Sequence, residues 1–128
     1  DSQGADDSNP EALFTAAAAA LQKIGIAFLE LREPGPDGTF GRTDVPKQSP
    51  AIRRVFTNRL VLNSDLTAEG GAELVASGLA DAVSYGRPFI SNPDLVERIR
   101  DGKPWAESTM ATWYTPGPEG YTDYPGAS

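Results

Sequence analysis

Helical and extended patterns alternate along this chain of 128 residues, and the extended segments predict three strands. Apolar residues recur at helical spacing from Leu13 to Ile24, and Gly25 is placed to end that helix. Further elements are predicted after it: strands at 26–31, 59–62 and 82–85, and helices at 50–56, 68–77 and 93–100. This α-β-α-β-α-β-α order implies parallel strands joined by right-handed crossovers.

Three of the predicted helix starts share one local pattern, in which a polar residue stands just before a Pro. The pattern occurs at 8–10 (SNP), 48–50 (QSP) and 91–93 (SNP). Ser and Asn side chains accept hydrogen bonds from the first N–H groups of a helix, and Pro suits the first helical turn. We therefore expect a capped helix start at each of these three places.

Three parallel strands form a poor domain by themselves, because both faces of a parallel sheet need covering and each open edge needs a partner. The alternating pattern therefore fits part of an α/β (β/α)8 barrel, a TIM barrel, more readily than a complete fold. The alternative is a small three-stranded α/β domain. Residues 103–128 hold aromatic residues among Pro and Gly, and we expect an ordered tail there rather than another βα unit.

The composition excludes several kinds of site. The chain has no His and no Cys, which removes thiol nucleophiles, disulfides, ordinary zinc sites and an imidazole base. A net charge of −7 argues against nucleic acid or an anionic membrane as a partner. The carboxylates Glu30, Glu33 and Asp44 are expected to form salt bridges or to be solvated. No residue is predicted to be catalytic or to bind a metal.

The N-terminal residues are acidic and polar, and the apolar stretch at 12–21 is too short and too rich in Ala to span a bilayer. A cytoplasmic location is therefore the expectation from sequence.

Two loops are candidates for binding a phosphate. The turn at 63–67 (NSDLT) follows the second strand, where backbone N–H groups can bind an anion without a charged side chain. The alternative is a plain turn in which Thr67 caps the next helix. The charge of Asp65 is unfavourable beside a phosphate unless its side chain points away.

The second loop, at 84–89, follows the last strand. There Gly86 permits close approach of a ligand to the backbone, and Arg87 offers a positively charged fork, although it could instead pair with a surface carboxylate. Because the two loops follow adjacent parallel strands, we expect them to lie side by side at the C-terminal rim of a barrel, where phosphates often bind.

Three segments resemble those of the Old Yellow Enzyme family. They are residues 28–34 (FLELREP), 76–95 (ASGLADAVSYGRPFISNPDL) and 113–125 (WYTPGPEGYTDYP). The resemblance runs from about Asn9 to Pro125. Within the family, the sequence is most similar to bacterial xenobiotic reductases that act on nitrate esters, N-ethylmaleimide and related electrophiles. It implies the C-terminal part of a TIM barrel, strands 6–8 with their flanking helices, completed by another chain.

The resemblance also implies roles for particular residues. Ser64 and Asp65 fall where the family binds the FMN phosphate through backbone amides, although the family often has Gly or another small residue at the position of Asp65. Gly86 and Arg87 fall on its phosphate-binding Gly-Arg. Tyr114 falls on a tail Tyr that lines the substrate side of the flavin, with hydrophobic packing as the alternative. The family's catalytic residues come from the first five strands, so we expect a complementary N-terminal chain to carry them.

The complete assembly would resemble an ene-reductase that uses FMN as cofactor and NAD(P)H as reductant. Such enzymes reduce activated C=C bonds of α,β-unsaturated carbonyls, or nitro and nitrate ester compounds. Within this chain we expect a flexible segment at 1–8, a partial barrel at 9–102 and a tail over the barrel mouth at 103–128. The resemblance places the first residues after strand five, which implies a nick, a split gene or an engineered permutation. The alternatives are a non-catalytic half-barrel that binds a phosphorylated ligand or a partner protein, and an inert remnant.

Overall fold

The computed structural model describes residues 6–35, 43–63 and 65–126, and in them helices alternate with strands. The elements are α1 (Pro10–Ile24), β1 (Phe28–Arg32), α2 (Ser49–Val55), β2 (Arg59–Asn63), α3 (Ala68–Ala76), β3 (Ala82–Val83), α4 (Arg87–Ser91), α5 (Leu95–Asp101) and a 3-10 helix (Met110–Thr112). The chain divides into two compact units, the first ending at Ser84 and the second beginning at Tyr85. The predicted division at 9–102 and 103–128 stays a prediction, and residues 1–5 and 127–128 lie outside the described residues.

The first unit contains a parallel sheet with strand order β1-β2-β3. The ladder between β1 and β2 pairs Phe28 with Arg59 at one end and Arg32 with Asn63 at the other. β3 is shorter than predicted, and its Val83 pairs with Leu62. The predicted parallel α/β architecture is therefore confirmed, with flanking helices as expected for part of a TIM barrel.

The core of the first unit lies between one face of the sheet and its helices. Leu60 and Leu62 alternate with more exposed residues along β2 and are buried on the helix side. Phe56, which follows α2, is 0% exposed and belongs to the same cluster as Ala18 of α1. Burying a side chain of that size contributes on the order of 2 kcal/mol, so this layer is what stabilises the unit.

The opposite face of the sheet is uncovered in the part of the chain that the structure describes. Phe28, Glu30 and Arg32 of β1 are exposed on it, with 55% of Phe28 accessible, and Arg59 of β2 is exposed as well. Parallel sheets are normally covered on both faces. In a β/α barrel the helices cover only the outside, and the inner face packs against the other strands. The one-sided burial is what a partial barrel requires.

The start and the end of α1 follow the local sequence as predicted, and α3 begins with the Thr67 cap, the alternative role of that turn. At the start of α1, Asn9 Oδ1 accepts a hydrogen bond from the Ala12 N–H (3.3 Å), and Gly25 ends the helix with φ 78°. At the start of α3, Thr67 Oγ1 accepts from the Gly70 N–H at 3.0 Å. These caps satisfy N–H groups that no helical carbonyl can reach.

The caps predicted at 48–50 and 91–93 are wrong. Ser49 is already helical, and the start of α2 is held by Glu33 from beyond the end of β1. Glu33 Oε1 accepts from the backbone N–H groups of Gln48 (2.6 Å) and Ser49 (2.9 Å), and Oε2 accepts from Ser49 Oγ (2.7 Å). Glu33 was expected to be salt-bridged or solvated, and it instead caps a helix. α5 begins only at Leu95, so Asn92 does not cap it.

The second unit is organised around Asn92, which is 0% exposed. Its Nδ2 donates to the carbonyls of Pro88 (2.8 Å) and Ala106 (2.9 Å), and its Oδ1 accepts from the Ala106 N–H (2.8 Å). Tyr85 and Trp105 stack edge to face with ring centroids 5.5 Å apart. The described part of the tail, 103–126, contains a short 3-10 helix and no further strand, and the expected ordered tail stays a prediction.

None of the helices in the described ranges is both long enough and apolar enough to cross a bilayer.

Candidate functional site

A polar network crosses the uncovered sheet face near the carboxyl ends of the strands. Ser84, just after β3, donates from Oγ to Glu30 Oε1 at 2.6 Å, and it accepts from Asn63 Nδ2 at 3.0 Å. The Ser84 N–H also donates to the Leu62 carbonyl, extending the ladder one residue past β3. Glu30 therefore bonds to Ser84 across the sheet rather than being simply solvated. This network fixes the point from which the chain continues to Gly86.

Asp65 adopts an unusual backbone conformation in the turn after β2. Its φ of 52° lies in the left-handed region, where Gly is favoured and Asp is tolerated. Ser64, the other predicted phosphate ligand in this turn, lies outside the described residues.

The Asp65 side chain is turned toward the loop after β1. A Cβ atom built on the buried Gly35 would lie 2.5 Å from Asp65 Oδ2 and 2.9 Å from Asp65 Cβ. The sequence left open which way this carboxylate points, and in the structure it points at Gly35. Sequence reasoning missed Gly35, because nothing in the sequence distinguishes it from the other Gly residues of this Gly/Pro-rich loop.

The segment after β3 has open space beside Gly86. A Cβ atom built on Gly86 would meet no atom within 4 Å, so a ligand can approach the backbone there. Arg87 is half-buried and is the first residue of α4, with Pro88 in the first helical turn. Sequence reasoning missed α4, because five residues are too few to show helical periodicity. The Pro after Arg87 was the one available signal.

The predicted site residues fall on different units. Asp65 belongs to the first, whereas Gly86, Arg87 and Tyr114 belong to the second. Their meeting at one phosphate therefore stays a prediction. Tyr114 is 93% exposed, whereas its neighbour Trp113 is half-buried and donates from Nε1 to Ser108 Oγ at 2.9 Å. Packing is thus the role of Trp113, and the Tyr114 ring is accessible.

An ion pair of the first unit lies at the other end of the sheet. Asp81, just before β3, accepts from the Leu60 N–H and from Arg53 Nη1, both at 2.8 Å. The backbone hydrogen bond from Leu60 is the main cause that lowers the pKa of Asp81, and Arg53 contributes further. In barrels the amino-terminal ends of the strands serve stability. This pair has a structural role.

The geometry of the chain matches solved structures closely. No protein-family model matches the chain. The Old Yellow Enzyme homologue from Zymomonas mobilis superimposes with a TM-score of 0.92 at 54% identity, over 96% of this chain and 35% of that one. The chain belongs to the Old Yellow Enzyme family.

Other relatives agree with this assignment. Morphinone reductase, in a structure with tetrahydroNAD, matches with a TM-score of 0.84 at 35% identity, over 96% of this chain and 32% of that one. A putative 12-oxophytodienoate reductase 11 of Oryza sativa subsp. japonica is 38% identical over 122 residues, 94% of this chain and 33% of its own length. The chain thus spans about a third of the relatives it matches, and corresponds to the C-terminal part of the Old Yellow Enzyme barrel.

Proposed function

We propose that this chain supplies the FMN-phosphate end of a flavin site in an NAD(P)H-dependent ene-reductase. In this proposal the enzyme acts only as a complete barrel, and it reduces activated C=C bonds of α,β-unsaturated carbonyls, or nitro and nitrate ester compounds. The observation that carries the proposal is the match to an Old Yellow Enzyme homologue over 96% of the chain. The matched relatives bear the names of reductases, which supports the same class of chemistry.

The described residues are compatible with a bound phosphate. With its carboxylate turned toward Gly35, the Asp65 turn can direct backbone amides at an anion, as turns after parallel strands do. The open space at Gly86 admits a ligand beside the backbone. The Arg87 guanidinium can then pair with two phosphate oxygens at once, the strongest geometry for such a contact.

We propose that the reacting groups lie on a complementary N-terminal chain. This chain contains no His for the pair that would hold a substrate carbonyl. Bound flavin would supply the hydride chemistry, while the protein orients the reactants. The exposed Tyr114 would line the substrate side. A cytoplasmic location remains a prediction.

The uncovered sheet face supports the need for a second chain. In the described residues β1 and β3 are the edges of the sheet, and each edge strand presents unpaired backbone groups. The exposed Phe28 lies on the same uncovered face. Strands of a complementary chain would pair with both edges and bury this face, as the closed sheet of a barrel does.

The proposal can be tested by co-expressing this chain with the N-terminal part of the Zymomonas mobilis homologue that lies outside the matched region. We expect a yellow complex that binds FMN and retains it through gel filtration. Arg87→Ala should weaken FMN binding by roughly tenfold to a hundredfold, because a hydrogen bond to a charged group is lost. The affinity for riboflavin, which lacks the phosphate, should not change.

Arg100→Ala is the matched control, because Arg100 is an exposed arginine of α5 that pairs with Asp101. It should leave both affinities unchanged. Equal FMN affinity in the Arg87→Ala and control complexes would remove Arg87 from the site. If the chain folded cooperatively by itself and bound FMN at micromolar affinity, the requirement for a second chain would be lost. A colourless chain that never joins a partner would favour the non-catalytic half-barrel.

A further inference from the structure

The loops after β1 and β2 touch at Gly35 and Asp65. The two strands end in register, with Arg32 paired to Asn63, and the Glu33 N–H donates to the Asn63 carbonyl at 3.0 Å. The loops therefore leave the sheet side by side. Gly35, two residues after that last ladder bond, lies under the Asp65 side chain and is buried.

The contact leaves no room for a side chain at position 35. Asp65 Oδ2, 2.5 Å from a Cβ built on Gly35, could rotate away, since it is the end of a side chain. Asp65 Cβ, 2.9 Å from the same point, is fixed to the backbone and moves only with the turn. Atoms in packed proteins do not approach so closely, so any residue larger than Gly must displace one of the two loops.

The need for Gly at position 35 comes from this contact and not from its own backbone. Gly35 is not among the glycines with positive φ, so its φ does not require Gly. Asp65, in contrast, has a φ of 52°, which fixes the direction of its Cβ and of its peptide N–H together. Holding the Cβ against Gly35 therefore also holds the orientation of the turn.

We infer that Gly35 is a positioning residue for the phosphate-binding turn. By lacking a side chain, it lets the loop after β1 support Asp65 from one side and so sets where the turn directs its amides. The inference rests on the proposed function, because it assigns Gly35 a role in the same phosphate site. It also gives the Asp65 carboxylate a role as the part of the turn that packs against Gly35.

Binding of FMN and of riboflavin to the two-chain complex described above separates this role from a general effect on folding. Gly35→Ala should raise the Kd for FMN by roughly tenfold to a hundredfold, because displacing the turn weakens about one hydrogen bond to the charged phosphate. The Kd for riboflavin should not change. Gly126→Ala is the matched control, since a Cβ there would meet its nearest atom, in Asp94, at 3.7 Å.

A second substitution tests the steric cause. Asp65→Gly removes the side-chain atoms that a methyl group at position 35 would meet and keeps the backbone amide, so the FMN affinity of this variant is the reference for the double variant. Adding Gly35→Ala to it should cost no further FMN affinity, because the clash no longer exists. This non-additivity is the signature of a direct contact.

Several results would overturn the inference. These are an unchanged FMN affinity in Gly35→Ala, an equal loss of FMN and riboflavin binding, or the same loss in the double variant. If Gly35→Ala alone prevents assembly, recovery in the double variant supports the contact and continued failure refutes it. A wild-type complex that binds FMN no better than riboflavin would instead refute the proposed phosphate site, and this inference with it.

Discussion

Replacing Glu33 tests how far the fold of the first unit depends on a contact between distant residues. Its carboxylate accepts hydrogen bonds from the N–H groups of Gln48 and Ser49 and from Ser49 Oγ, at 2.6, 2.9 and 2.7 Å. Ser49 is 1% exposed, so water cannot easily replace the lost acceptor there. Gln48 is half-buried and can be rehydrated in part.

The expected cost follows from these contacts. Each buried donor left without a partner costs about 1–3 kcal/mol, and removal of a helix N-cap costs about 0.5–2 kcal/mol. Because only Ser49 is fully buried, we expect Glu33→Ala to lower the free energy of unfolding by about 2–4 kcal/mol. Glu33→Gln retains one carbonyl oxygen as acceptor and should cost about 1 kcal/mol.

Urea denaturation of the two-chain complex, followed by circular dichroism, measures the loss. Amide hydrogen exchange localises it, because the Ile52 N–H, which donates to the Gln48 carbonyl, should exchange faster in Glu33→Ala. The control is Glu73→Ala on the exposed surface of α3, which should change stability by less than about 0.5 kcal/mol. Equal stability of the two Ala variants would refute the capping role.

Three further predictions follow from buried or strongly bonded groups. Because the pKa of Asp81 is lowered, its stabilising contribution is fully present above the ordinary pKa of an Asp carboxyl and is lost as the pH falls from there through the lowered pKa. Thermal melts of Asp81→Asn should therefore show a smaller loss of stability between about pH 5 and pH 2 than the wild type shows. Phe56→Ala should cost about 3–5 kcal/mol in urea denaturation. Asn92→Ala removes both hydrogen bonds to Ala106, so limited proteolysis should cut the tail faster; unchanged cleavage would contradict that role.

Patterns that depend only on near neighbours could be predicted from the sequence. The start of α1 at Asn9 and its end at Gly25 are as predicted, because each cap involves backbone groups within four residues. The cap at Thr67 is local in the same way. The alternation of helices with strands predicted the parallel sheet, and three short segments were enough to indicate the family.

Other features depend on contacts between residues far apart in the chain, and these only the tertiary structure decided. The cap of α2 comes from Glu33, and the partner of Asn92 is Ala106 in the tail. These contacts join residues 14 to 16 positions apart, so no window of neighbouring residues contains both partners.

The predicted phosphate-binding turn shows the same division. The sequence predicts an anion site in the residues around Asp65, for which the charge of Asp65 is unfavourable. The direction of the carboxylate depends on Gly35, thirty positions away, and on the register that ends β1 and β2 together. A sequence specifies the chemistry that each loop carries, whereas the pairing of the strands determines which loops meet.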